Sequence, residues 1–119
     1  MASHTLPQIL IIDDDTVVSG LLKASLELNF NVATLTDSRN ALGLTKTLHP
    51  KVILLDILMP KKDGFTVLRE LKNDLETKDI PIILLTNKDG DEEKEKSLAL
   101  GAVNYLYKIH LVTSWKIKR

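Results

Sequence analysis

The sequence contains no cysteine, which excludes disulfide bonds, thiolate nucleophiles and zinc sites built on cysteine. It has no excess charge of either sign, because 16 basic residues balance 16 acidic ones. We therefore expect no direct binding to nucleic acid and no attraction to an anionic membrane. No apolar run exceeds four residues, so we expect neither a signal peptide nor a membrane-spanning helix. The length of 119 residues indicates one domain, residues 1–119, and a cytoplasmic location is the default expectation.

Five short apolar segments predict the strands of a β-sheet. They are residues 9–12, 31–35, 52–55, 82–85 and 102–107. The third segment is apolar at every position, which is typical of a central parallel strand that is buried on both faces. The second segment is the weakest, and we place it at an edge of the sheet.

Four helical patterns separate these strands, and a short fifth pattern follows the last one. Asp15 or Thr16 is the predicted cap of the first helix. Each of the five patterns has a stripe of mostly apolar residues at helical spacing. The stripe positions are Val17, Leu21, Ala24 and Leu28 in the first helix, Ala41, Leu44, Thr45 and Leu48 in the second, Phe65, Leu68, Leu71 and Leu75 in the third, Leu98 and Leu100 in the fourth, and Leu111, Val112 and Trp115 in the last. Alternating strands and helices predict an α/β, doubly wound, five-stranded parallel sheet with flavodoxin-like order 2-1-3-4-5 and helices on both faces.

Polar residues stand at the ends of four predicted strands, where ligands bind in sheets of this kind. They are Asp13 and Asp14, Asp56, Thr86 and Lys108. Each alone has an ordinary explanation as a cap, a turn former or a solvated side chain, but one aspartate suffices for a cap and the first strand has two. Three adjacent carboxylates repel one another, and one lysine does not neutralise them. The pattern therefore predicts a hard divalent cation such as Mg²⁺, with Asp56 as a candidate nucleophile for a phosphoryl group that Lys108 and Thr86 would contact.

Over essentially its whole length the sequence resembles the receiver domain of two-component response regulators. The matching motifs are Ile-Leu-Ile-Ile-Asp-Asp-Asp at 9–15, Leu-Leu-Asp-Ile-Leu-Met-Pro-Lys-Lys-Asp-Gly at 54–64, Ile-Pro-Ile-Ile-Leu-Leu-Thr at 80–86 and Gly-Ala-Val-Asn-Tyr-Leu-Tyr-Lys at 101–108. The resemblance implies that Asp56 is the phosphoacceptor. It also implies three Mg²⁺ contacts besides Asp56: Asp14 directly, Asp13 mostly through water, and the backbone carbonyl of Leu58. Lys108 would contact the phosphoryl group, with Thr86 as the switch hydroxyl and Tyr105 as the aromatic residue that turns inward with it.

The resemblance also implies the partners. A sensor histidine kinase or a histidine phosphotransfer protein would donate the phosphoryl group, and the domain would catalyse only its own phosphorylation and dephosphorylation. The surface of the fourth helix, fifth strand and last helix would then signal to a downstream effector protein or a fused output domain, and a homodimer through this surface stays open. Leu58 and Lys88 occupy places linked to phosphoryl lifetime, and we expect bulky Leu58 to lengthen it by hindering the attacking water.

The sequence departs from the receiver pattern in two places. Ile109 follows Lys108 where many receivers have a proline, and the last helix is short.

Two alternative functions are also possible for this sequence. A pseudo-receiver would use the same fold only as an interaction module, although the full set of site residues argues against it. A haloacid-dehalogenase-like phosphohydrolase would use Asp13 as nucleophile and Asp15 as acid. That interpretation leaves Asp56 unexplained and needs an acidic pair that residues 111–119 lack.

Overall fold

Five parallel strands form one sheet in the order β2-β1-β3-β4-β5, as the sequence predicts. The computed structural model describes residues 6–86 and 91–108. The strands are β1 (Gln8–Ile12), β2 (Asn31–Leu35), β3 (Val52–Asp56), β4 (Ile82–Thr86) and β5 (Asn104–Tyr107). The helices are α1 (Thr16–Leu26), α2 (Ala41–Leu48), α3 (Gly64–Asn73) and α4 (Asp91–Ala99), and a 3₁₀ turn at Ser38–Asn40 precedes α2. Within the described ranges, no helix has the length and apolar character needed to cross a bilayer.

Two apolar layers cover the two faces of the sheet. Because side chains alternate along a strand, Leu10 and Ile12 of β1 join one layer while Ile9 and Ile11 join the other. The first layer includes the buried face of α3, and the second includes Leu22 of α1. The central strands β1 and β3 are therefore buried on both sides, as their unbroken apolar runs predict.

The buried face of α1 differs from the predicted stripe. Val17 is 70% exposed, and Leu28 lies beyond the helix and is 84% exposed. The helix instead packs through Val18, Leu22 and Leu26, which also recur at helical spacing. Val17 and Val18 each begin an apolar series at helical spacing, so spacing alone does not select a face. The predicted cap residue Asp15 starts the helix, and its side chain accepts hydrogen bonds from the backbone N–H groups of Val17 and Val18.

Two element boundaries and one apolar position also differ from the prediction. Helix α3 ends at Asn73, so Leu75 lies outside it and is 83% exposed. Strand β5 begins at Asn104 instead of residue 102. In α4 the side chain of Leu98 is 44% exposed, whereas Ser97 is buried. The predicted last helix, with Leu111, Val112 and Trp115, lies outside the described residues.

The strand register brings the predicted site residues to one edge. Ile12 pairs with Leu55, so Asp13 and Asp56 follow neighbouring positions of β1 and β3. Thr86 pairs with Tyr107, which places Lys108 one residue beyond the end of β4. This is the carboxyl edge of the sheet, the side where doubly wound folds bind ligands.

Candidate functional site

Four polar side chains are buried at the carboxyl edge of the sheet. Asp13 is 0% exposed, Asp56 3%, Thr86 1% and Lys108 3%. Each residue ends or directly follows an apolar strand, and burial of that strand carries the polar side chain inward. Asp14 is exposed at the same edge, so the cluster is open to solvent on its side. Buried ionisable groups are costly unless they have partners, and their concentration marks a functional site.

Lys108 connects the two buried carboxylates. Its Nζ donates a hydrogen bond to Asp13 Oδ1 at 3.0 Å and lies 2.9 Å from Asp13 Oδ2. The same ammonium lies 3.2 Å from Asp56 Oδ2. The backbone N–H of Asp15 also donates to Asp13 Oδ1, at 2.9 Å. Residues from β1, β3 and the end of β5 therefore form one ionic cluster, as the sequence predicts.

The cluster carries more negative charge than Lys108 neutralises. Asp13, Asp14 and Asp56 each place one carboxylate oxygen so that all three atoms lie within 4.8 Å of one another. Burial raises the pKa of Asp56 to about 7, and the charge of Asp13 adds to the rise, while attraction to Lys108 opposes it. Burial also disfavours the charged form of Lys108, but Asp13 and Asp56 outweigh that effect and raise the pKa of Lys108.

One buried carboxylate oxygen has spare capacity for a ligand. Within the described part of the chain, Asp13 Oδ2 accepts no hydrogen bond, although it lies 2.9 Å from the Lys108 ammonium. A contact at this distance without hydrogen-bond geometry is an ion pair that leaves lone pairs of the oxygen unused. Three converging carboxylates, spare oxygen capacity and excess negative charge fit a hard divalent cation such as Mg²⁺.

The loop behind Asp56 depends on Gly64, whose importance the sequence analysis missed. A Cβ atom at Gly64 would lie 2.2 Å from the backbone oxygen of Asp56 and 2.7 Å from Ile57 Cα. The Gly64 N–H donates to the Ile57 carbonyl at 2.8 Å, and the Ile57 N–H donates to Leu85 O at 3.0 Å. Only glycine permits this close approach of α3 to the end of β3. An Asp-Gly pair is typical of a turn, and nothing in the sequence distinguishes a turn glycine from a packing glycine.

The other predicted site residues lie around this core. Leu58 stands on the loop two residues beyond Asp56 with its side chain 51% exposed. Tyr105 of β5 is 5% exposed, and its ring meets that of Tyr107 edge-on, with centroids 5.6 Å apart. Lys88 and the Lys108–Ile109 bond lie outside the described residues. The described geometry brings Asp13, Asp14, Asp56 and Lys108 together, with Thr86 buried at the same strand edge.

The carboxylate of Asp15, the acid of the hydrolase alternative, is engaged in capping α1. Its Oδ1 accepts hydrogen bonds from the backbone N–H groups of Val17 at 3.0 Å and Val18 at 3.1 Å. The side chain of Asp15 is therefore used as the cap of α1, whereas a general acid must reach the leaving group. Asp13 in turn is fully buried against Lys108.

Comparisons with known proteins agree with this geometry. The family model described as "Response regulator receiver domain" matches residues 9–111. The chain is 39% identical over 104 residues to the DNA-binding dual master transcriptional regulator RpaA of a Synechocystis strain, covering 87% of this chain and 43% of RpaA.

Two solved structures are similar in fold as well as in sequence. A crystal structure of the phosphorylated cyanobacterial phytochrome response regulator RcpA has a TM-score of 0.81 and 26% identity, covering 95% of this chain and 89% of that one. The Mn²⁺-bound form of response regulator Rcp1 has a TM-score of 0.76 and 29% identity, covering 85% of this chain and 80% of that one. The chain spans less than half the length of the curated relatives it matches. On this evidence the chain belongs to the receiver-domain family of the response regulators of two-component systems.

Proposed function

We propose that this receiver domain accepts a phosphoryl group on Asp56 in a Mg²⁺-dependent reaction and relays the signal through its surface. The single observation that carries the proposal is the ionic cluster in which Asp56 and Asp13 share Lys108. Family membership supports phosphorelay signalling as the role of the domain. To this role we add the identities of the acceptor residue, the cation and the partners.

Asp56 has the features of a nucleophile for phosphoryl capture. Its carboxylate oxygen would attack the phosphorus atom, and the phosphorus–nitrogen bond of a phosphohistidine donor would break, with the imidazole leaving with the electron pair. The reacting form is the ionised carboxylate, which burial disfavours because it raises the pKa of Asp56 to about 7. Added positive charge restores the ionised form near neutral pH.

The residues around Asp56 divide the remaining work. Asp13, Asp14, Asp56 and the backbone carbonyl of Leu58 would hold Mg²⁺, which when bound supplies positive charge to the phosphoryl oxygens. Lys108, held between Asp13 and Asp56, would pair with another phosphoryl oxygen. From the end of β4, the Thr86 hydroxyl would donate a hydrogen bond to a phosphoryl oxygen. A relative whose structure is that of a Mn²⁺-bound form supports the metal assignment.

The signalling step is a shift between two conformations, in which Thr86 and Tyr105 move together and change the α4–β5 surface. The side chain of Tyr105 is buried in this structure. Helix α4 exposes charged side chains that suit a partner surface: those of Glu92, Lys94, Glu95 and Lys96. We propose a sensor histidine kinase or phosphotransfer protein as donor, an effector protein or fused output domain as target, and the cytoplasm as location.

The test is the mass of the intact protein after incubation with a small acyl-phosphate donor, with and without Mg²⁺. We expect a Mg²⁺-dependent, base-labile gain of one phosphoryl group in the wild type and in the Asp63→Asn control, whose aspartate is an exposed cap of α3. Asp56→Asn should show no gain, and Asp13→Asn should show a reduced one. A phosphoryl group that persists in Asp56→Asn would overturn the assignment, and no gain under any condition would favour the pseudo-receiver.

A further inference from the structure

A short turn that follows β2 contacts the loop that follows Asp56. The turn begins at Asp37 and continues into the 3₁₀ segment Ser38–Asn40. The loop comprises residues 57–63, between β3 and α3. Adjacent residues of the turn meet adjacent residues of the loop: Asp37 meets Lys61, and Ser38 meets Lys62. We name these four residues the loop clasp.

The stronger of the two contacts is buried. The hydroxyl of Ser38 donates to the backbone oxygen of Lys62 at 2.6 Å, across 24 residues of sequence, and Ser38 is 2% exposed. Lys61 Nζ lies 3.9 Å from Asp37 Oδ2 at the surface. Lys62 is also held from the α3 side, because its Nζ donates to Glu70 Oε1 at 2.9 Å and Oε2 at 3.1 Å. Ser38 thus holds the backbone of Lys62, and Glu70 holds its side chain.

The clasp holds a backbone conformation that lysine disfavours. Lys61 has a φ of 72°, in the left-handed region that residues other than glycine rarely adopt. Such conformations persist only where the surrounding structure determines them, and they concentrate at functional sites. Here the buried bond from Ser38 to the backbone of the next residue, Lys62, bears most on this conformation. The surface contact of Asp37 with Lys61 adds little, because Asp37 is paired with Arg39 at 2.7 Å.

The strained residue stands in the loop that completes the proposed site. The loop begins directly after Asp56 and carries Leu58, and it ends at Gly64, which packs against the Asp56 backbone. Relaxation of Lys61 would change the path between these points. We propose that Ser38 is a positioning residue that, with Asp37, holds the 57–63 loop in the shape that binds the metal. This inference rests on the proposed function for the identity of the metal, although the contact itself does not.

The structure offers a matched control for the loss of a buried hydroxyl. The hydroxyl of Thr77 donates to the backbone oxygen of Leu71 at 2.6 Å, and Thr77 is 0% exposed. It lies in the connection between α3 and β4, which enters the sheet at the edge opposite the Asp56 cluster. Thr77→Val therefore removes the same kind of bond at the same distance without touching the loop.

The experiment measures Mg²⁺ dissociation constants by calorimetry for the wild type, Ser38→Ala, Asp37→Ala and Thr77→Val. We expect Ser38→Ala to weaken Mg²⁺ binding by about threefold to tenfold. This loss is no larger than the smallest losses typical of residues that bond directly to metal ligands, which are about tenfold, because Ser38 contacts the loop and not a ligand. Asp37→Ala removes the cap of the Ser38–Asn40 turn and the ion pairs of Asp37 with Arg39 and Lys61, and it should weaken Mg²⁺ binding in the same direction. Thr77→Val should stay within about twofold of the wild type, because its bond is remote from the loop.

Amide hydrogen exchange of residues 57–64 in the metal-free protein gives an independent readout. Exchange there should be faster in Ser38→Ala and Asp37→Ala than in Thr77→Val, because only the first two release the loop. At saturating Mg²⁺ the phosphoryl yield of Ser38→Ala should return to that of the wild type.

The results separate this inference from the proposed function. Wild-type protein that neither binds Mg²⁺ nor accepts a phosphoryl group contradicts the proposed function. Equal Mg²⁺ affinity and equal exchange in Ser38→Ala and Thr77→Val, with wild-type Mg²⁺ binding intact, overturns the positioning role of Ser38. Equal losses of affinity in both variants also overturn it, since a merely structural role predicts that result.

Discussion

Replacing Asp56 by Asn should stabilise the metal-free protein, and the gain should grow with pH. Burial and the charge of Asp13 raise the pKa of Asp56 from 3.8 to about 7 in the folded protein. The folded state therefore binds this proton more tightly than the unfolded state does. The stability that Asp56 contributes is present at low pH and is lost as pH rises from about 4 to about 7. Asn has no proton to lose, so the variant escapes that loss.

The expected size follows from the two pKa values. Each pH unit of difference corresponds to 1.36 kcal/mol, so ionised Asp56 costs about 4 kcal/mol above pH 7 and about 2 kcal/mol near pH 5.5. The difference in the free energy of unfolding between Asp56→Asn and the wild type should thus increase by about 2 kcal/mol between these two conditions. Asn and protonated Asp also differ in hydrogen bonding, but that difference changes the stability difference by the same amount at both pH values and so leaves the increase unchanged.

Urea denaturation in the presence of a chelator measures this difference across the pH range. Asp63→Asn is the matched control, because it removes an exposed carboxylate from the same loop and leaves a residue that also caps helices well. Mg²⁺ at about 100 times its dissociation constant should stabilise the wild type by about 2.7 kcal/mol and Asp56→Asn by less. A stability difference between Asp56→Asn and wild type that is flat with pH, or reversed in sign, would refute the reasoning.

Three further variants test individual contacts. Gly64→Ala should lower the free energy of unfolding by about 1–3 kcal/mol and weaken Mg²⁺ binding, because its Cβ would lie 2.2 Å from a backbone oxygen. Urea melts measure the stability and calorimetry measures the Mg²⁺ affinity. Unchanged values of both would contradict the close packing at Gly64. Thr45→Val should raise the unfolding free energy by about 1 kcal/mol, since the buried Thr45 hydroxyl accepts or donates no hydrogen bond among the described residues. Thr47→Val is its control on the same helix, because the exposed Thr47 hydroxyl bonds Gly43 O at 3.1 Å; equal effects in the two variants would contradict this reason. Leu58→Asn should shorten the phosphoryl lifetime of the domain, measured as decay of the phosphorylated intact mass. The reason is that Leu58, half exposed and two residues after the proposed acceptor, would hinder an attacking water. An equal or longer lifetime would count against this role.

The strand pattern was predictable from sequence because burial on two faces leaves a strong signal. The apolar runs of β1 and β3 are typical of strands buried on both faces, and the polar residues that end them mark the ligand-binding edge. Asp13, Asp56 and Lys108 were therefore predicted to meet, and the structure places them in contact.

The orientation of α1 was not predictable from spacing alone. Val17 and Val18 are both apolar, and either one begins a stripe at helical spacing. The structure selects the face, because Val18 and Leu22 pack in the core while Val17 is 70% exposed. In the same way, Gly64 and Ser38 act through contacts with backbone atoms that are distant or folded back on the chain, and no local pattern reveals such contacts.

The most direct test of the account is the location of the phosphoryl group. Borohydride converts an aspartyl phosphate to homoserine, so reduction of the phosphorylated protein followed by peptide mass mapping identifies the acceptor. The account predicts homoserine at position 56 alone, formed only when Mg²⁺ is present. Homoserine at Asp13, or at any aspartate other than Asp56, would contradict it.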